Sequence, residues 1–165
     1  MSTGPFDAQV FLDAQEPVHA QALAEIRNGR KRSHWMSYVF PQVAGITERH
    51  GRTPSSTTVR YSITGLDEAR AYLGHPVLRA RYVEVLDAAA AHLTAEGPAT
   101  YDAVTVLFGS PDNRKFVSSL TLFELAARGL GHPECERITS VAETLFSGRL
   151  TRCPDTPVIL GLAGH

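Results

Sequence analysis

Residues 29–42 (GRKRSHWMSYVFPQ) set Arg30, Lys31 and Arg32 directly ahead of Ser33, His34, Trp35 and Tyr38, and close on Phe40-Pro41. Cations beside a helix start form a phosphate or carboxylate site, because free backbone N–H groups and forked guanidinium donors point at the same anion. The same cations also follow the end of a helix, where they offset its partial negative charge by a few tenths to about 1 kcal/mol each. Trp35 and Tyr38 are three apart and share a helical face, so they either stack on a flat ligand or fill core. His34 lies behind a run of positive charge, which disfavours its protonation and offers a neutral imidazole for acid/base work.

A second polar stretch, residues 108–123 (FGSPDNRKFVSSLTLF), looks like its counterpart. Asp112, Lys115 and Ser118 or Ser119 recur at helical spacing and form a polar face beside an apolar one of Phe116, Leu120 and Phe123. That face is either solvated or half-buried around a pocket; its shortage of charges beyond Lys115 favours burial. Asp112 is placed to orient a water or to pair with Arg30 or Arg32 across the fold. The candidate site is therefore Asp112 and His34 for acid/base chemistry, with Arg30, Lys31, Arg32, Ser33, Trp35, Tyr38, Lys115, Ser118 and Ser119 holding a small anionic, nucleotide-like molecule. Hydrolysis, of an N-glycosidic bond first, needs only a positioned carboxylate and water. The alternative is a non-catalytic domain that docks a protein partner on the Trp35/Tyr38 face.

The elements that must position these residues are helices. Residues 6–15, 18–28, 65–73, 76–93, 110–128 and 133–146 show helical apolar spacing with Pro, Gly or Asp punctuation at their ends. A helix over 34–40 follows Ser33 as its cap and stops before Pro41. Residues 101–108 lean to helix, 59–63 (VRYSI) read as a short extended piece, and 45–64 otherwise read as loop. Leu-Gly-His-Pro occurs at 73–76 and again at 130–133, and in both copies the histidine reads as a helix cap. The sum is one all-α domain over residues 1–165, a multi-helix orthogonal bundle of about six to eight helices. Its core spans 6–146 and a strap or tail covers 147–165.

With 165 residues and a net charge of -1, the chain suits one core and lacks the basic excess of a general nucleic-acid binder. No stretch reaches the roughly 20 apolar residues of a membrane span, and no secretory signal is visible. Cys135 and Cys153 sit in no metal or redox spacing, which points to reduced thiols and a cytoplasmic setting. Neither a metal nor a cofactor is implied: HExxH, GxSxG and dinucleotide fingerprints are all missing.

At GRKRSHWMSYVFPQ, LDEARAYLGHPVLRAR and FGSPDNRKFVSSLTLFELA the chain resembles the uncharacterised bacterial domain family numbered DUF1810. The likeness runs from about Phe6 to about Phe146 and rests on Gly29, Lys31, Ser33, His34, Trp35 and Met36, on Phe40, Pro41 and Gln42, and on Phe108 to Phe123. The resemblance implies a mainly helical single domain and marks both stretches as important. It implies no activity. Ser37 departs from the family's pattern, where a second aromatic is common.

Overall fold

The computed structural model describes residues 6–162, and its regular structure is eleven helices and one isolated β-bridge. In chain order the helices are α1 (Ala8–Gln15), α2 (His19–Arg27), α3 (Met36–Val39), α4 (Ile46–Arg49), α5 (Ser56–Tyr61), α6 (Leu66–Gly74), α7 (Pro76–Leu93), α8 (Tyr101–Phe108), α9 (Asp112–Ala127), α10 (Pro133–Phe146) and α11 (Asp155–Ile159). The all-helical class is as expected, and the count exceeds six to eight because of α4, α5 and α11. These have four, six and five residues, too few turns for an apolar repeat to show.

Start signals explain five of the eleven helix starts, where a side chain caps the first turn. His75 Nδ1 accepts from the Val77 N–H at 3.2 Å, and His132 Nδ1 accepts from the Glu134 N–H at 3.2 Å. Both repeated His-Pro pairs thus cap a helix whose first residue is proline. Ser55 caps α5 by accepting from the Thr58 N–H at 3.1 Å. That cap overrides the β-like alternation of residues 59–63: the chain is helical through Tyr61, and only Ile63 takes part in a bridge, with Val43.

Two expected caps are corrected. Ser33 does not cap the next helix; α3 is a single turn preceded by Trp35, and the Ser33 hydroxyl is used elsewhere. Ser110 does not cap α9 with Pro111 as its first residue; Pro111 itself stands at the cap position, no side chain caps the helix, and Asp112 is the first helical residue. Asp112 still meets the positive end of the helix dipole.

Helix α9 is the axis of the domain. It packs on α6, α8 and α10, and by smaller surfaces on α11 and α3. From Phe116 to Glu124 every side chain is buried. The expected polar face beyond Lys115 therefore lies inside the protein, where each hydroxyl needs a partner. Ser119 Oγ lies 3.1 Å from the Tyr82 hydroxyl, Ser118 donates to Gln42 Oε1 at 2.6 Å, and Thr121 donates to the Val117 carbonyl at 2.8 Å. Phe40, fully buried at the end of α3, meets Phe116, Phe108 and Tyr82 edge-on with ring centroids 5.2, 5.6 and 5.7 Å away. This aromatic knot pins the first polar stretch against the second. Edge-to-face pairs of this kind are worth about 0.5–1.5 kcal/mol each beyond their buried area.

The expected strap is folded onto α9. Arg152 grips the buried Glu124 with two bonds, Nε to Oε1 at 2.7 Å and a terminal nitrogen to Oε2 at 2.8 Å. The Cys153 N–H donates to Thr121 Oγ1 at 3.0 Å, and Asp155 reaches Arg49 of α4 at 2.9 Å. Residues 163–165 of the strap lie outside the described residues. Both cysteines are free thiols, and no helix among the described residues is long and apolar enough to cross a membrane.

Candidate functional site

The connector from α2 to α3 is shaped by a residue the sequence reading left unmarked, Glu25. Its Oε1 accepts from the Arg32 N–H at 2.7 Å, the Ser33 N–H at 3.1 Å and the Trp35 indole N–H at 3.0 Å. Its Oε2 accepts from the Ser33 hydroxyl at 2.6 Å and from Gln21 at 3.0 Å. Burial alone would raise its pKa, but bonds from the Ser33 hydroxyl, the Arg32 backbone, Trp35 and the Ser33 backbone outweigh burial and hold it at about 2. The carboxylate thus satisfies N–H groups that a helix would otherwise use, which is why α3 starts late. The signal lies in the spacing: Glu25 follows Ala22 by three positions and precedes Ile26, on the buried side of α2.

Gly29 makes the turn out of α2 with a φ of +82°. A Cβ there would stand 2.6 Å from His92 Cε1, so both the backbone and the space call for glycine. Beyond it, Lys31 is anchored twice to the second stretch. Its N–H donates to the Leu107 carbonyl at 2.7 Å, and its Nζ meets Asp112 Oδ2 at 2.8 Å. The ammonium also lies 5.1 Å from the centre of the Trp35 ring. With the Lys31 side chain only 8% exposed, such a cation–π contact is worth about 1–2 kcal/mol.

Between the two stretches lies a cavity of about 290 Å³. Lys31, His34, Trp35 and Tyr38 reach it from the connector and α3, Asp112 and Lys115 from α9. Ser37, Ser55 and Thr57, which the sequence reading had not selected, add hydroxyls to the wall. Asp112 pairs with Lys31 and not with Arg30 or Arg32; its Oδ1 stands 3.8 Å from Lys115 Nζ. Asp112 is the single acid on the wall, against two lysines. The wall of the cavity therefore carries a formal positive balance.

Arg30, Arg32, Ser33, Ser118 and Ser119 lie outside it. Arg30 and Arg32 are exposed, and Arg30 lines a separate hollow beside Thr105 and Val106. Ser33 is spent on Glu25, Ser118 on Gln42 and Ser119 on Tyr82. Trp35 is 1% exposed and mostly core. Tyr38 is half-buried, donates to the His34 carbonyl at 3.2 Å and meets Tyr61 edge-on. Burial, then the proximity of Tyr61, pushes its phenol up, so it serves as a neutral donor. Among the described residues no group of three His, Cys, Asp or Glu side chains could hold a metal ion.

Comparison with known proteins places the chain by family. The family described as "Protein of unknown function (DUF1810)" matches residues 5–155. Among solved structures, the conserved hypothetical protein Rv1873 from Mycobacterium tuberculosis is 33% identical, with a TM-score of 0.74 over 96% of this chain and 99% of that one. No curated protein matches.

Proposed function

The chain belongs to the DUF1810 family, and we propose that it binds a small phosphate-bearing, nucleotide-like molecule in the cavity between Lys31 and Lys115 and hydrolyses it. The observation that carries this reading is the charge pattern of the wall: two lysines and one carboxylate from distant segments around a hollow of about 290 Å³. That volume is at the lower edge for small-molecule sites, so the occupant is compact. Lys31 and Lys115 take its anionic oxygens by charge-assisted hydrogen bonds. The hydroxyls of Ser37, Ser55 and Thr57 orient the uncharged part.

Asp112 has acceptor capacity left, because only its Oδ2 is within hydrogen-bonding distance of a lysine. Its Oδ1 is free to take a proton from water as general base. In hydrolysis of an N-glycosidic bond the water oxygen bonds to the anomeric carbon, and the C–N electron pair leaves with the base. The proton that Asp112 takes from water goes on to the departing nitrogen, with His34 on the same wall as the relay, accepting at one ring nitrogen and donating from the other. No cofactor enters this scheme.

A thermal-shift and calorimetric series with inorganic phosphate, ribose 5-phosphate and AMP tests binding. At least one should raise the melting temperature of the native protein, and Lys31→Met should remove the effect. Uniform silence from all of them overturns the reading. Release of free base from AMP tests the bond type, with Asp112→Asn expected to lower any turnover at least about 100-fold. Docking of a protein on Trp35 is disfavoured by its burial and by the Lys31 ammonium over its ring.

A further inference from the structure

Eight of the sixteen lysines and arginines face a carboxylate within ion-pair distance: Lys31, Arg49, Arg79, Arg81, Lys115, Arg128, Arg137 and Arg152. Arg52 and Arg114 are among the eight with no such partner among the described residues, and of those eight they share one hollow. They meet instead in a small cleft of about 80 Å³ on the other side of Lys115, with His50, Gln42 and Thr47. No Asp or Glu lines this cleft. The nearest acid in the hydrogen-bond network is Asp155, which lies 3.4 Å from His50 and is already paired with Arg49. Gln42 adds a neutral donor. Its Oε1 is taken by the Ser118 hydroxyl at 2.6 Å, which leaves its amide nitrogen without a partner among the described residues.

Like charges that line one hollow repel each other, and the repulsion is relieved when an anion sits among them. Lys115 lines both this cleft and the larger cavity, and its carboxylate partner is distant at 3.8 Å. The two hollows thus form consecutive subsites that share one ammonium. Their sizes differ in the sense needed: the larger accepts the body of a molecule, the smaller a single oxyanion group.

We propose that the ligand carries two anionic groups, in the manner of a diphosphate ester, with the second group held by Arg52, Arg114 and the Gln42 amide. This rests on the binding reading of the larger cavity and narrows its ligand class from monophosphates to diphosphates. Calorimetry with AMP, ADP, inorganic phosphate and pyrophosphate tests it on the native chain and on the double variant Arg52→Ala/Arg114→Ala. Neither arginine makes an ion pair, so the double variant should keep its native melting temperature. The native protein should prefer ADP over AMP by at least about tenfold, and the double variant should lose that preference while keeping its AMP affinity. Equal affinity for ADP and AMP in the native protein, with AMP binding still abolished by Lys31→Met, overturns the second subsite and leaves the first intact. A preference for ADP that persists in the double variant also overturns it. Absence of binding by all four probes overturns the cavity reading itself, and the inference with it.

Discussion

Glu25 and Asp112 each stand where the basic connector meets a helix, and their surroundings differ in kind. Glu25 is 8% exposed and accepts five hydrogen bonds, four of them from residues 32, 33 and 35. Asp112 lies on a cavity wall with one close lysine, one distant lysine and an oxygen left over. A carboxylate whose lone pairs are filled by the protein holds the fold, whereas one with spare acceptor capacity at a cavity can meet a substrate. Glu124 belongs with Glu25: it is 1% exposed and its oxygens are gripped by Arg152.

The sharpest way to break this contrast is Glu25→Gln. It replaces one acceptor oxygen by an NH2 that faces donors, and should cost about 3 kcal/mol of stability, read from the urea midpoint. A loss below about 1 kcal/mol would erase the distinction between the two acids. Next comes pH. The Glu25 pKa is lowered to about 2 in the folded chain, against about 4.3 when unfolded. Its contribution is therefore complete above the unfolded value and is lost as pH falls from about 4.5 toward 2. Urea melts at successive pH values should show that slope in the native protein, and a shallower one in Glu25→Gln.

Smaller effects sharpen the contrast from the other side. Ser119→Ala leaves the Tyr82 hydroxyl without its partner and should cost about 1 kcal/mol in thermal melts, with phosphate affinity unchanged. Asp112→Asn keeps an acceptor oxygen for the largely buried Lys31 ammonium but removes its counter-charge, and should cost about 1 kcal/mol. It removes the one negative charge from the cavity wall, so phosphate should bind a few-fold tighter even as the proposed hydrolysis is lost. Weaker phosphate binding in that variant would mean that Asp112 positions the lysines more than it opposes the anion.

The sequence carried the long helices almost to the residue, because proline, glycine and capping histidines punctuate an apolar repeat. The short helices were hidden: α4, α5 and α11 are set by local caps and by packing on α9, not by periodicity. The meeting of the two stretches was legible in their composition, since charged and aromatic residues gather in both. Which cation would turn inward was not. Lys31 is chosen over Arg30 and Arg32 by main-chain geometry, for its N–H binds Leu107 and its neighbours are held by Glu25 or left in solvent. Ser118 and Ser119 were read as one side of a pocket because a helix packed on all sides shows no solvent face to distinguish. Arg52 and Arg114 escaped notice for a further reason: they belong to separate segments whose adjacency is purely tertiary.

Lys31 is a rivet through both halves of the site, fixed by its main chain to the end of α8 and by its side chain to the start of α9. The cavity wall it joins cannot open like a jaw without breaking both fastenings. On the proposed reading a ligand enters a hollow that already exists, so hydrogen exchange at the Lys31 amide should be as slow in the empty protein as in one given phosphate.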